Sequence, residues 1–169
     1  MKTIIGLAGV KTSGKSTVAN MIREFVTNAE EAALADKLKN TCAEVFGVPR
    51  EYLDKQDLKE LAFSDGAKEL TSDAIDAILR SFGVYMSRRE IDSTYNVIGM
   101  ELETPRKIAQ IVGTEVLRAA GDEDIHCKNV KLNDGVTVIS DLRFPNEFNY
   151  FSDLSSTDNQ IIFVPLYIQ

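Results

Sequence analysis

The chain has 169 residues, 44% of them hydrophobic and 27% charged, with no tryptophan and a net charge of −7. That length fits one domain with its own core, and the composition is that of an ordinary globular protein rather than a fibrous or low-complexity one. The acidic balance argues against a main partner that is a nucleic-acid backbone, which calls for a basic face, but a few placed cations still suffice for a small phosphorylated ligand.

Lys2-Thr-Ile-Ile-Gly-Leu-Ala8 is a short apolar, β-branched run and reads as a buried strand. It leads into Gly9-Val-Lys-Thr-Ser-Gly14-Lys15-Ser16, a complete G-x-x-x-x-G-K-S pattern. Next, Thr17 to Val26 places Val18, Met21, Ile22 and Phe25 at helical spacing. Given average glycine usage of roughly 7%, the pattern arises by chance in on the order of one chain in a hundred, and the strand-before, helix-after setting lowers that further. In such a loop the backbone wraps so that successive N–H groups point at phosphate oxygens, and the helix N-terminus adds positive partial charge. Gly9, Lys11, Thr12, Ser13, Gly14, Lys15, Ser16 and Thr17 are thus the expected contacts of a nucleoside triphosphate, taken to be ATP. Lys15 is expected to reach the β- and γ-phosphates and the Ser16 hydroxyl to hold Mg²⁺.

Glu31-Ala-Ala-Leu-Ala35 reads as a second strand ending at Asp36. Leu38, Cys42, Val45 and Phe46 then predict a helix that stops near Gly47, with Pro49 just beyond. Residues 50–66 suggest short helices or loops, and the charged run Asp54 to Glu60 an exposed segment without chemistry. Asp73 to Phe82 carries Ile75, Ile78, Leu79 and Phe82 at helical spacing. Residues 84–103 leave their elements open. Arg88, Arg89 and nearby Arg80 fit a solvated surface or a cover over a second ligand. Thr104-Pro105 opens another helix, with Ile108, Ile111, Val112 and Val116 on one side. Gly135 to Ser140 reads as a buried strand ending in Asp141, a helix follows Pro145, and Gln160 to Val164 is the last strand. Strands alternating with helices imply a parallel sheet with right-handed crossovers, here a three-layer α/β P-loop fold. The apolar tail Pro165 to Gln169 has no closing helix, which suggests a chain that stops short of full length. Cys42 and Cys127 show neither C-x-x-C spacing nor disulfide density, which points to a reduced, cytoplasmic setting. No apolar run approaches the roughly 18 residues that span a bilayer, and the first strand leaves no room for a signal peptide.

Two further blocks carry chemistry. In Val136-Thr-Val-Ile-Ser-Asp141-Leu-Arg143-Phe-Pro-Asn-Glu147, an aspartate ends a buried strand at the edge where open α/β sheets bind ligands. Asp141 there holds Mg²⁺, or caps the helix starting at Pro145; the two roles are compatible. Arg143, two residues on, can face a transferred phosphate. In Thr104-Pro-Arg106-Lys107-Ile-Ala-Gln110-Ile-Val-Gly113-Thr114-Glu115, a continuous helix would put Arg106, Gln110 and Gly113 on one face, which suits either a bound nucleotide or solvent.

Taken in order, the G-x-x-x-x-G-K-S loop, Ala35-Asp36-Lys37-Leu-Lys39 with Phe46-Gly47, the 104–115 block and Asp141-x-Arg143-Phe-Pro-Asn-Glu147 resemble phage deoxynucleoside monophosphate kinases. The resemblance spans residue 4 to about 165. It implies transfer of the ATP γ-phosphoryl group to a deoxynucleoside monophosphate, with Mg²⁺ held by Ser16 and Asp141. It implies that Lys15, Asp141, Arg143 and Glu147 stand at the transfer centre. Asp36, Lys37, Arg106, Lys107, Gln110, Gly113 and Thr114 would then meet the acceptor, with residues 50–120 as a helical acceptor-binding subdomain of one kinase domain over 1–169. Such a protein acts in the host cytoplasm, away from membranes and nucleic acid, and its kind leaves room for a homodimer.

This chain departs from that family twice. It has Ile125-His126-Cys127 where members often carry an aromatic residue, so His126 either meets the acceptor base or is structural. No arginine-bearing lid is recognisable after residues 160–164. Another small-metabolite P-loop kinase would share the triphosphate half and differ at 104–118. A nucleotide-driven switch or motor would instead call for a glutamate beside Asp141, and Leu142 stands there.

Overall fold

The structure is a computed structural model that describes residues 1–10, 12–120 and 122–169. In β1 (Lys2–Gly9), alternate side chains leave on opposite faces, so Ile5 and Leu7 pack one way and Ile4 and Ala8 the other. On the Leu7 face, Val18, Ala19 and Ile22 of α1 (Lys15–Phe25) meet Val136 and Val138 of β5 (Val136–Ile139). On the Ile4 face, Phe151 and Leu154 of α8 (Pro145–Thr157) meet Ile139 and Leu142. Among the described residues the sheet has four strands, all parallel, in the order β2 (Ala29–Ala32), β5, β1 and β6 (Ile161–Ile168). The connection from β1 to β2 passes β5 in one direction, and that from β5 to β6 passes β1 in the other. Right-handed crossovers of opposite direction place α1 and α8 on opposite faces. Both β1 and β5 therefore open at the same carboxyl edge, with Gly6 paired to Ile139.

The chain divides into two compact units, Met1–Asp36 with His126–Gln169, and Lys37–Ile125. The second is built from α2 (Ala35–Phe46), α3 (Arg50–Asp54), α4 (Ser72–Ser81), α5 (Arg88–Thr94) and α6 (Pro105–Ile111), with a hairpin of β3 (Lys68–Glu69) and β4 (Glu101–Leu102). Its core gathers Leu38, Cys42, Leu70, Ile75, Leu79 and Ile108. Burial pushes the Cys42 thiol up to about 12, so it serves as a small apolar side chain. The short α7 (Ile125–Lys128) leads back to the sheet.

Three expectations change, and one open stretch is filled. β2 ends at Ala32, so Asp36 lies in the first turn of α2 rather than at a strand end. Residues 84–103, open in the sequence, contain α5 and β4. The Ser87-x-x-Glu90 capping box that starts α5 was readable, with Glu90 Oε2 accepting the Ser87 N–H at 2.7 Å. The helix from Pro105 is not continuous: α6 ends at Ile111, a π turn covers Val112–Leu117, and a 3₁₀ turn covers Arg118–Ala120.

β6 runs four residues beyond the expected Val164, straight through Pro165. The Lys2 N–H donates to the Gln160 carbonyl, so even-numbered residues of this strand turn their polar groups toward β1 and odd-numbered ones outward. Pro165 is odd, and its missing N–H falls on the outer edge where it costs no ladder bond. Two of the other outward donors, at 161 and 163, are used as well. Ile161 N–H reaches the Asp158 carbonyl at 2.9 Å, and Phe163 N–H reaches Ser155 Oγ at 3.2 Å. Ser155 in turn donates to the Ile161 carbonyl at 3.1 Å. The outward N–H groups from 161 to 165 are thereby all occupied or absent, which disfavours an added strand there. Ser155→Ala should reopen it. The expected result is a stability loss of about 1–3 kcal/mol for two missing bonds, with concentration-dependent association visible in sedimentation; a monomeric variant of wild-type stability would contradict the capping role.

Candidate functional site

The loop from β1 to α1 is shaped by two glycines. Gly9 has φ of 152°, and a Cβ there would lie 2.4 Å from the Ile168 carbonyl oxygen and 2.7 Å from Ser13 Oγ. Gly14 takes φ of 88° at the start of α1, where it offers no side-chain cap, and the first turn holds no acidic residue. The residue that opens α1 therefore supplies no side-chain acceptor of the kind helix starts usually have. The Lys15 ammonium turns back onto its own loop, donating to the Gly9 carbonyl at 2.8 Å and the Val10 carbonyl at 2.7 Å. Ser13 Oγ is buried with no hydrogen-bond partner among the described residues. Thr12 (φ 69°), Ser16 and Thr17 are exposed around it, and Lys11 lies outside the described residues. A buried hydroxyl without a partner beside an uncapped helix start is an arrangement that an anion completes.

The start of α2 is the opposite case. Asp141 follows β5 by two residues, and its Oδ1 accepts the Leu34 N–H at 2.8 Å and its Oδ2 the Ala35 N–H at 3.1 Å. Asp36 Oδ2 accepts the Ala33 N–H at 3.2 Å. Two carboxylates thus hold the amides around the opening of α2, whereas α1 opens on a glycine with no side-chain cap. Asp141 caps α2 rather than the helix beginning at Pro145. That second cap is Glu147, 4% exposed, whose Oε2 accepts the Arg143 N–H at 2.8 Å and the Phe144 N–H at 3.1 Å. Asp141 keeps some exposed surface, yet burial of its carboxyl pushes its pKa up. The two amide bonds pull against that shift, Glu147 adds to it, and Arg143 opposes it. Arg143 is exposed and its guanidinium forms no ion pair among the described residues.

No protein-family model matches the chain, and no curated protein matches it. The remaining expected residues are therefore placed by geometry alone. In the second unit, Arg106 pairs with Glu60 through its guanidinium, and Lys107 Nζ lies 2.5 Å from Glu103 Oε2. Arg106 and Gln110 are exposed, but Gly113 is buried, and a Cβ on it would lie 3.1 Å from Leu38 Cδ2. The expected shared face ends at Gln110, because the π turn rotates Gly113 into the core. Thr114 Oγ1 donates to the Gln110 carbonyl at 2.8 Å within that turn. Lys37 Nζ stands 5.0 Å over the Phe82 ring. Arg80 pairs with Asp76, and Arg88 with Asp73 and Asp92, and both arginines are exposed. In the first unit, His126 is 7% exposed within α7.

Among the described residues no three His, Cys, Asp or Glu side chains group to hold a metal ion. Magnesium asks for less, since it keeps several waters and takes only one or two protein carboxylates beside substrate phosphates. Sequence reasoning missed Glu60 and Glu103 as partners of the 104–107 cations. Glu103 is i−4 to Lys107 and was readable; Glu60 is 46 residues from Arg106 and had no local signal.

Proposed function

We propose that the chain is a P-loop kinase that transfers the ATP γ-phosphoryl group to the 5′-phosphate of a deoxynucleoside monophosphate. The observation that carries the triphosphate half is the α1 start without a side-chain cap, with a Ser13 hydroxyl that has no partner among the described residues and a Lys15 ammonium held by two loop carbonyls. Those groups fit a phosphate chain, which takes N–H donors, a hydroxyl and a cation from one loop. Ser16 and Asp141 would hold Mg²⁺, which when bound neutralises phosphate charge. Arg143 supplies a second cation at the same sheet edge. Glu147 Oε2 accepts the Arg143 and Phe144 amides, so it positions the turn that carries Arg143. The acceptor phosphate is already an anionic nucleophile, so positioning and charge neutralisation suffice and no strong base is needed.

The acceptor half is supported by the resemblance of the 104–115 and 141–147 blocks. It is tested by a coupled assay across dAMP, dCMP, dGMP, dTMP and their ribonucleotides. ADP formation should depend on at least one deoxynucleotide; with none raising it above the acceptor-free rate, the reading is wrong. Arg106→Ala is expected to raise the acceptor KM by about 10- to 100-fold, the worth of a charge-assisted hydrogen bond, and to leave ATP binding unchanged. No helix among the described residues is long and apolar enough to cross a membrane.

A further inference from the structure

The charged run from Asp54 to Glu60 looks like plain solvated surface in the sequence, but one of its members is held in place. The Arg106 N–H donates to the Lys59 carbonyl at 2.9 Å, and the Phe63 N–H donates to the Glu103 carbonyl at 3.1 Å. These two backbone bonds pin residues 59–63 against the start of α6. The turn that delivers Glu60 is closed by its own bonds, Lys59 N–H to the Lys55 carbonyl at 3.1 Å and Leu61 N–H to the Leu58 carbonyl at 3.1 Å. Glu60 is thereby set against the Arg106 guanidinium, with both side chains about half exposed. Lys107 is matched in the same way by Glu103. Each cation of the block already has a carboxylate, and these four charges sum to zero.

We propose that Glu60 gates Arg106: its carboxylate occupies the guanidinium at rest, and an incoming phosphomonoester must displace it. The inference rests on the proposed acceptor role of Arg106 and adds to it a selection by charge. A dianionic phosphate gains by replacing a singly charged carboxylate, since two charges then face the guanidinium in place of one. A singly charged phosphodiester or carboxylate gains nothing from that exchange. The pair is solvent-exposed, so its competition is modest, about 1.5- to 5-fold in apparent affinity.

The test uses the full chain labelled with ¹⁵N and titrated with inorganic phosphate. The readout is the Arg106 Nε–H resonance, assigned by its loss in Arg106→Ala. Glu60→Gln should bring half-saturation at Arg106 to about 1.5- to 5-fold lower phosphate, while the Arg143 resonance titrates as in the wild type. An unchanged Arg106 titration in Glu60→Gln, with phosphate still shifting that resonance, overturns the gate and leaves the acceptor reading standing. An equal gain at Arg143 also overturns it, since the effect would then be the added net charge. If neither phosphate nor any of the four deoxynucleoside monophosphates moves Arg106, the acceptor reading fails and the gate with it. Glu60 is surface-exposed, so the variant should melt within a few degrees of the wild type, and the comparison is made between folded proteins.

Discussion

Lys15→Ala should remove ATP-dependent transfer almost completely while leaving the fold intact. Loss of one pre-placed cation or donor at a centre of developing charge typically costs about 10²- to 10³-fold in kcat, and here the lost group is also a binding cation. Stability should barely change. The Lys15 ammonium is satisfied by the Gly9 and Val10 carbonyls, and Val10 is 64% exposed, so water can replace it there. Lys15→Arg keeps the charge, but its planar fork does not fit a turn shaped around a compact ammonium, so it should rescue little. The check is kcat in the coupled assay beside a thermal melt. Turnover above a tenth of the wild-type rate in a well-folded Lys15→Ala variant would remove the β1–α1 loop from the mechanism.

What the sequence made legible follows from the range of the interactions. The β1–loop–α1 unit is written in consecutive residues: an apolar run, two glycines at the positions with unusual φ, then helical spacing. The end of α2 at Gly47 (φ 64°) and the start of α8 at Pro145 are equally local. Asp141 was recognisable as a strand-end aspartate, but its partners were not, because Leu34 and Ala35 are over a hundred residues away and pair through backbone amides that have no residue signature. The same holds for Glu60 and Arg106. Pro165 misled for a different reason. A proline marks a strand end only when its N–H would face a neighbour, and which edge it faces depends on the register with β1. The π turn at Val112–Leu117 was hidden because its apolar residues keep near-helical spacing while the backbone widens.

A single carboxylate, Asp141, links the strand end at β5 to the opening of α2, and removing it should have the largest structural effect of any change at this edge. Asp141→Ala leaves the Leu34 and Ala35 amides without acceptors, at about 1–3 kcal/mol each. Part is offset because the fold no longer keeps a charge away from water, so a net loss of about 2–4 kcal/mol is expected. For a chain of this length that corresponds to a fall of about 5–15 °C in Tm. Asp141→Asn should fall between: its carbonyl can satisfy one amide, while its NH₂ group faces the other. The pH dependence separates the two contributions. Burial raises the folded-state pKa of Asp141 above its unfolded value, so the protonated form is the one the fold favours. That contribution is complete below the unfolded pKa and is given up as pH rises through the folded one. Measured against the non-titrating Asn variant, the wild type should therefore have its widest margin in acid. The margin should narrow as pH climbs through the raised value and stay flat above it. Amide exchange at Leu34 and Ala35 gives the local reading, with protection lost in Asp141→Ala and partly kept in Asp141→Asn. Wild-type exchange at both amides in Asp141→Ala, with an unchanged melt, would show that Asp141 does not hold α2.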